Sequence, residues 1–269
     1  MSFLPLASKA GRVHICAHRG HSAAAPENTL PALEAAAAHG ATAAEFDVVL
    51  TRDDRLVVLH DEILDRTTSG SGRVAALTFA EVKRLDAGAW FSPAFAGTRV
   101  PSLEEALAAA RSNKMGLLIE IKERQRPEIM IECLTRLLVA ENALDDVLVI
   151  SFDHVSLLRL KHRLPAIRTE LITHARHVDP VAMAERAGAA SVAVEWNMFD
   201  AKDAEALHAA GIAVRVTLPR PEHLALRRAH GFDDESRVAV HLAAGHIDIL
   251  AGDDAAYLNQ LVGAIHQDR

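Results

Sequence analysis

Eight short apolar runs, each rich in β-forming residues, alternate along this chain with longer runs of helix-forming residues. Nearly continuous apolar strands that alternate with helices are typical of a parallel sheet covered by helices. Eight such units predict a closed (β/α)8 barrel, the TIM-barrel fold. The predicted strands are Val13–Ala17, Ala43–Leu50, Gly116–Ile121, Val147–Ser151, Arg168–Ile172, Ser191–Glu195, Ile212–Thr217 and Asp248–Ala251.

The intervening runs are rich in alanine and leucine and predict helices. They include Thr29–His39, Ser102–Asn113, Pro127–Glu141, His154–Arg163, Asp200–Ala210 and Asp254–His266. An open, doubly wound sheet is the alternative, but the first strand is not followed by the glycine-rich G-x-G-x-x-G turn of a dinucleotide site. A length of 269 residues suits a single α/β barrel domain, and we expect residues 1–269 to form one.

The connection at residues 61–101, after the second predicted strand, is too long for a simple barrel loop. Connections of this length are usually functional. We predict an insertion that carries a short helix and caps one end of the barrel. It closes at Ser102, which has the spacing of a capping box with Glu105.

Charge and composition narrow the class of partner. The chain has 29 Lys and Arg against 36 Asp and Glu, a net charge of −7, and carries no basic cluster that would bind nucleic acid. Its two cysteines, Cys16 and Cys133, make no disulfide framework. No segment has the length and hydropathy of a membrane span, and Met1–Ser8 resembles a lead-in and not a signal peptide. We expect a cytoplasmic protein with a small-molecule substrate; the sequence does not indicate an oligomeric state.

Acidic residues at alternate positions of two strands indicate a metal site. Glu45 and Asp47 share one face of the second predicted strand, and Glu120 and Lys122 share a face where the third strand ends. Carboxylates held close together repel, and a divalent cation relieves that repulsion. Oxygen ligands favour Mg²⁺ or Ca²⁺, with Mn²⁺ also suitable. A solvent-facing acidic pair is the alternative for Glu45 and Asp47 alone.

Functional residues of barrels lie at the C-terminal ends of the strands, where this chain places two histidines and an arginine. His18 and Arg19 follow the first strand, and His60 follows a short extended run, Leu56–Leu59. Histidine can transfer protons near neutral pH, and arginine can bind phosphate with two hydrogen bonds. Neighbouring residues of an extended run face opposite ways, so Asp61 is not expected to orient His60.

Further polar residues are candidates for the barrel mouth. Asn28 and Thr29 precede the first helix, where each could either cap the helix or orient a neighbouring side chain. Glu195 and Trp196, at the sixth strand exit, could contact a substrate. His174 and His177, after the fifth strand, are weaker candidates.

Several of these motifs occur in the order and spacing that resembles the glycerophosphodiester phosphodiesterase family. The resemblance is continuous from about residue 14 to residue 122. Its motifs are His18-Arg19-Gly20, Pro26-Glu27-Asn28-Thr29, Glu45-Phe46-Asp47-Val48, His60-Asp61, Leu85–Phe91, Val100–Glu105 and Glu120-Ile121-Lys122.

The resemblance implies a (β/α)8 barrel with this insertion and metal-dependent hydrolysis of a glycerophosphodiester to glycerol 3-phosphate and an alcohol. It also implies a role for seven residues. By resemblance, the metal ligands are Glu45, Asp47 and Glu120, the acid and base are His18 and His60, and the phosphate is held by Arg19 and Lys122.

The last third of the chain departs from the family pattern at the seventh and eighth strands. Val214–Pro219 and Leu250–Asp253 stand where the family shows other residues, and both segments border the expected place of the glycerol or the leaving alcohol. Arg215 alternates with Val214 and Val216. If it faces inward it must meet an anion, either Glu195 or the substrate; if it faces outward, its charge lies in water.

Two other functions remain open on sequence grounds. A lyase of the same fold, similar to phospholipase D toxins, would release a cyclic phosphate. A catalytically silent barrel would bind a phosphorylated ligand without turning it over.

Overall fold

A computed structural model describes residues 13–267, and the predicted lead-in at Met1–Ser8 lies outside them. Its strands form one sheet whose first parallel strand pairs with both the second and the last, which closes the sheet into a barrel of eight parallel strands. The prediction of a (β/α)8 barrel is therefore confirmed. The strands are β1 His14–His18, β2 Ala43–Leu50, β3 Leu56–Val58, β4 Gly116–Ile121, β5 Val147–Ser151, β6 Thr169–Thr173, β7 Ser191–Glu195, β8 Ala213–Thr217 and β9 Ile249–Gly252.

The short strand β3 is an addition to the barrel and pairs antiparallel with the end of β2. Helices cover the barrel, and two of them, α8 (Pro221–Ala229) and α9 (Asp234–Ala243), follow β8 where a simple repeat would have one. None of the helices between residues 13 and 267 has the length and hydropathy needed to cross a membrane. The helices are α1 Leu30–Ala38, α2 Phe79–Val82, α3 Leu103–Ser112, α4 Pro127–Ala140, α5 His154–Arg163, α6 Pro180–Ala187, α7 Ala201–Ala209, α8 Pro221–Ala229, α9 Asp234–Ala243 and α10 Ala255–Gln267.

Alternation along the strands separates two apolar layers. Residues such as Phe46 and Ile119 pack outward in a large cluster against the helices. The alternate positions form a smaller apolar cluster: Cys16, Ala43, Leu118, Leu148, Ile150, Ile249 and Ala251. Two residues further along β2 and β4, the same face carries Glu45 and Glu120. Along β2 and β4 the interior face is therefore apolar towards the start of the strand and acidic towards its C-terminal end.

Residues 59–102 form a segment with its own apolar cluster. Val49 and Val57 contribute to this cluster from β2 and β3. The other members are Leu59, Leu64, Val74, Val82, Ala87 and Val100. Capping boxes begin both α2 and α3, the second being the predicted pair of Ser102 and Glu105.

Arg215 faces the barrel interior, where its Nε donates to Oε1 of Glu170 at 2.7 Å. Glu170, on β6, is fully buried and also accepts from the hydroxyl of Ser191. The expected partner, Glu195, is not bonded to Arg215, because it lies at the end of β7, whereas Glu170 is level with Ser191 at the start of β7. The outward orientation of Arg215 is likewise excluded.

Removing one member of this buried pair should strongly destabilise the fold. We expect Glu170→Ala to lower the free energy of unfolding by ~3–5 kcal/mol, because it leaves a guanidinium buried without an anion. The double variant Glu170→Leu/Arg215→Leu should recover most of that loss, because neither charge then remains. Urea unfolding monitored by circular dichroism measures both.

The exposed ion pair of Arg159 and Glu128, 2.9 Å apart, provides a matched control. Glu128→Ala should change the free energy of unfolding by ~1 kcal/mol or less, because solvent screens an exposed pair. Equal losses for Glu170→Ala and Glu128→Ala would contradict the assigned importance of the buried pair.

Candidate active site

A cavity of about 660 Å³ opens at the C-terminal ends of the barrel strands. Most of the predicted site residues line it, namely His18, Arg19, Glu45, His60, Glu120, Lys122, Glu195 and Arg215. Asp47 lies beside Glu45 and Glu120 but is buried from the cavity surface. The strand register explains the grouping, because His18 is level with Glu45 across β1 and β2, and Asp47 is level with Glu120 across β2 and β4.

Three carboxylates form a cluster in which Glu45, Asp47 and Glu120 each offer an oxygen within 4.8 Å of the others. All three residues are buried. Oε1 of Glu45 is buried without a hydrogen-bond partner, and Oδ1 of Asp47 is compensated only by its ion pair with Nζ of Lys122 at 3.3 Å, which is costly for polar atoms. Carboxylate oxygens grouped in this way are the ligands that a hard divalent cation prefers.

Electrostatics support the same conclusion. Burial and the charge of Asp47 raise the pKa of Glu45 to about 8. Burial and Asp47 also raise the pKa of Glu120, although Lys122 opposes the shift. Without a metal, Lys122 supplies part of the positive charge, with its Nζ 2.5 Å from Glu120 and 3.3 Å from Asp47. The three residues fit a divalent cation, which would favour the ionised form of each.

A tight turn after β1 brings the backbone to the acids. Arg19 and Gly20 both have positive φ, 57° and 78°, and the amide of Arg19 donates to Oε2 of Glu45 at 3.0 Å. A Cβ on Gly20 would lie 2.6 Å from the Cβ of Ala32 in α1. Glycine is therefore required at residue 20 by both conformation and space.

The two residues before α1 have separate roles. Thr29 is the N-cap of the helix. Asn28 has a positive φ of 59° and holds Asp47 by two hydrogen bonds: its Nδ2 donates to Oδ2 at 2.7 Å, and its Oδ1 accepts from the Asp47 amide at 3.0 Å. This strained residue fixes the orientation of one acid of the cluster.

His18 is held by Asp253, which lies in one of the two segments that depart from the family pattern. Its Nδ1 lies 2.6 Å from Oδ1 of Asp253, just after β9, and Asp253 accepts from Nε of Arg220 at 2.5 Å. Burial disfavours the charged ring, but Asp253 and Glu45 outweigh it and raise the pKa of His18. The sequence held one signal for this pairing: Asp253 is an acid at the exit of the last strand, and the last strand adjoins the first when the barrel closes.

Asp61 orients His60, contrary to expectation. Oδ1 of Asp61 lies 2.5 Å from Nδ1 of His60. The prediction was wrong because β3 ends at Val58 and both residues lie in a bend, where side-chain alternation no longer applies.

Glu195 and Trp196, the two residues after β7 that were predicted to contact a substrate, lie in different surroundings. Glu195 lies at the cavity rim, half exposed, with Oε1 2.7 Å from Nδ1 of His174, which also lines the cavity. Trp196 is buried outside the cavity and donates from Nε1 to Asp234 of α9 at 2.9 Å. Trp196 is turned away from the cavity because a 3₁₀ turn begins at this residue, and its indole packs beside Phe199 and α9.

Comparisons with known proteins place these features in a family. Residues 18–232 match the glycerophosphoryl diester phosphodiesterase family. A glycerophosphodiester phosphodiesterase of Caldanaerobacter subterraneus subsp. tengcongensis is 40% identical over 180 residues, which are 66% of this chain and 74% of the relative. YhdW of Bacillus subtilis is 42% identical over 161 residues, which are 60% of this chain and 66% of YhdW.

Solved structures show the same similarity over nearly the whole chain. A phosphodiesterase of Oleispira antarctica, solved in complex with the product sn-glycerol-3-phosphate, superposes with a TM-score of 0.80 at 28% identity. The match covers 93% of this chain and 96% of that one. The chain belongs to the glycerophosphoryl diester phosphodiesterase family.

Proposed function

We propose that this protein hydrolyses glycerophosphodiesters to glycerol 3-phosphate and an alcohol, with the aid of one divalent metal ion. One observation carries the proposal: a buried cluster of three acids shares a cavity with two oriented histidines, an arginine and a lysine. The names of the relatives, and the product bound to the Oleispira antarctica phosphodiesterase, support this choice of substrate.

Glu45, Asp47 and Glu120 would hold the metal, and Mg²⁺ or Ca²⁺, with Mn²⁺ a further candidate, suits their oxygen ligands. When bound, such an ion supplies Lewis-acid stabilisation of charge on phosphoryl oxygens.

Arg19 and Lys122 are the cations placed to bind the phosphate. Arg19 lines the cavity with Nη1 bonded to Glu27 and Nε buried 3.5 Å from Oδ2 of Asp47, which leaves Nη2 to donate to a phosphate oxygen. Lys122 lines the same cavity and carries its charge beside Glu120. Fixed positive groups of this kind stabilise charge that develops on the phosphoryl oxygens in the transition state.

The two histidines are arranged for proton transfer. Asp253 and Asp61 each engage the Nδ1 of one ring, which leaves Nε2 of His18 and of His60 for exchange with substrate. One ring removes the proton of the nucleophile, and the other protonates the leaving oxygen. The nucleophile is water or the 2-hydroxyl of the substrate's glycerol.

The wall beyond the phosphate offers Glu195 and, deeper, the guanidinium of Arg215 to the glycerol or the leaving alcohol. Arg215 is already paired with Glu170. Glu195 is a half-exposed carboxylate at the rim that can contact a cationic head group. Trp196 has no place in this proposal.

Chelation should abolish activity on glycerophosphocholine and glycerophosphoethanolamine, because the three acids repel one another without a cation. Readdition of Mg²⁺, Ca²⁺ or Mn²⁺ in turn identifies the ion that restores turnover.

Glu45→Gln and Asp47→Asn should weaken metal binding in calorimetric titrations. Glu62→Gln removes a carboxylate from the same cavity but not from the cluster, and should leave metal affinity unchanged. Full activity after exhaustive EDTA treatment would refute the metal requirement.

His18→Ala and His60→Ala should each lower kcat by about 10²–10⁴-fold, the usual effect of removing a general acid or base. His177 bonds Thr173 and does not line the cavity, so His177→Ala should keep kcat within a few-fold. Steady-state kinetics test this, and near-normal kcat in either site variant would remove that histidine from the mechanism.

Phosphorus NMR of the wild-type products distinguishes a hydrolase from a lyase, because a lyase leaves a cyclic phosphate that persists.

Glu195→Gln should lower kcat/KM for choline and ethanolamine esters by about fivefold relative to the uncharged glycerol ester, because an exposed charge contact contributes ~1 kcal/mol. Glu205→Gln, an exposed change on α7 away from the cavity, should alter none of these ratios. Identical kcat/KM ratios in the wild type and Glu195→Gln would show that Glu195 does not contribute to head-group selectivity.

A further inference from the structure

Arg66, in the segment between β3 and α3, joins two carboxylates from separate parts of the chain. Its Nε donates to Oδ2 of Asp61 at 2.6 Å. Its two terminal nitrogens donate to the two oxygens of Glu27, each at 2.8 Å. The planar guanidinium thus uses all three of its nitrogens on these two partners.

Each of these carboxylates also touches a residue of the proposed mechanism. Asp61 accepts from Nδ1 of His60, and Oε1 of Glu27 accepts from a terminal nitrogen of Arg19 at 2.9 Å. The result is an unbroken series of hydrogen bonds, His60 to Asp61 to Arg66 to Glu27 to Arg19. It connects a proton-transfer group with a phosphate-binding group.

Arg66 is absent from the residues that line the cavity, so it acts through others and not on the substrate directly. It holds both carboxylates ionised: burial favours the neutral form of Asp61, but the hydrogen bonds from Arg66 and His60 lower its pKa. For Glu27, burial is likewise opposed by Arg66 and Arg19, and the pKa is lowered. An ionised Asp61 requires the proton of its hydrogen bond with His60 to reside on Nδ1.

The arginine that supports His18 differs from Arg66 in the number of site residues it reaches. Arg220 bonds Asp253, the carboxylate that orients His18, through its Nε. In the part of the chain that the structure describes, Arg220 makes no hydrogen bond to Glu27, so it supports His18 without connecting it to Arg19. Arg66 supports a histidine and the phosphate arginine together.

We propose that Arg66 is a positioning residue, which fixes the ring of His60 through Asp61 and the guanidinium of Arg19 through Glu27. The inference rests on the proposed function of those two residues. Catalysis depends steeply on such placement, since a displacement of about 1 Å can reduce a rate by about 10²-fold. Lysine cannot replace this arrangement fully, because it lacks the planar fork that binds two oxygens at once.

Steady-state kinetics of Arg66→Ala are the first test. We expect kcat to fall by about 10–10²-fold, with KM changed less than kcat and a melting temperature close to that of Arg99→Ala. Arg99 is an exposed arginine of the same segment that bonds a backbone carbonyl, and its loss should leave kcat unchanged. Arg66→Lys should recover part of the activity. Methylguanidinium added at millimolar concentration should partly rescue Arg66→Ala, while methylammonium should do so less.

Histidine NMR supplies a readout that does not depend on turnover. In two-bond ¹H–¹⁵N spectra, neutral His60 of the wild type should carry its proton on Nδ1. Arg66→Ala should shift His60 towards a mixture of tautomers, as Asp61→Asn does. In the double variant, Arg66→Ala should lower kcat further only by the part that acts through Glu27 on Arg19. If the wild type hydrolyses no glycerophosphodiester, the proposed function fails, yet the tautomer still decides whether Arg66 positions His60.

Two outcomes would overturn the positioning role. One is a kcat of Arg66→Ala within twofold of the wild type. The other is a lower kcat accompanied by an unchanged His60 tautomer and no rescue by methylguanidinium, which would reduce Arg66 to a structural contact of the segment.

Discussion

Three carboxylates within 4.8 Å of one another in a buried site repel, and much of the surrounding structure compensates for that repulsion. Lys122 and Arg19 bring positive charge to Asp47, and the amide groups of Arg19 and Asn28 donate to the acids. Two of these supporting residues, Arg19 and Asn28, adopt left-handed backbone conformations. The cost of that strain is consistent with a site kept for chemistry and not for stability.

Charges of alternating sign extend outward from this cluster. Each of the two histidines is hydrogen-bonded to an aspartate, which is in turn hydrogen-bonded to an arginine. On one side of the cavity these residues are His18, Asp253 and Arg220. Below the cluster, Arg215 and Glu170 continue the alternation into the barrel, where they are fully or almost fully buried. The orientation of the site residues therefore depends on a network and not on single contacts.

Sequence periodicity was sufficient to predict the barrel and the shared face of the acids, because both follow from the two-residue repeat of a strand. It failed where the backbone left that repeat: Asp61 lies in a bend, and Trp196 begins a 3₁₀ turn. It could not identify the partners of His18 and Arg215. Asp253 is 235 positions from His18, and such pairs are defined by barrel closure and strand depth, which local patterns do not encode.

Closure of the barrel through β1 and β9 has a consequence for biosynthesis. One histidine of the site comes from the first strand, and the aspartate that orients it follows the last. A nascent chain that has not yet released residue 253 from the ribosome has an open sheet and an unsupported His18. Although the acids, Lys122 and His60 all precede residue 123, the support of His18 forms only when the final strand docks against the first, so the centre cannot be complete before the barrel closes.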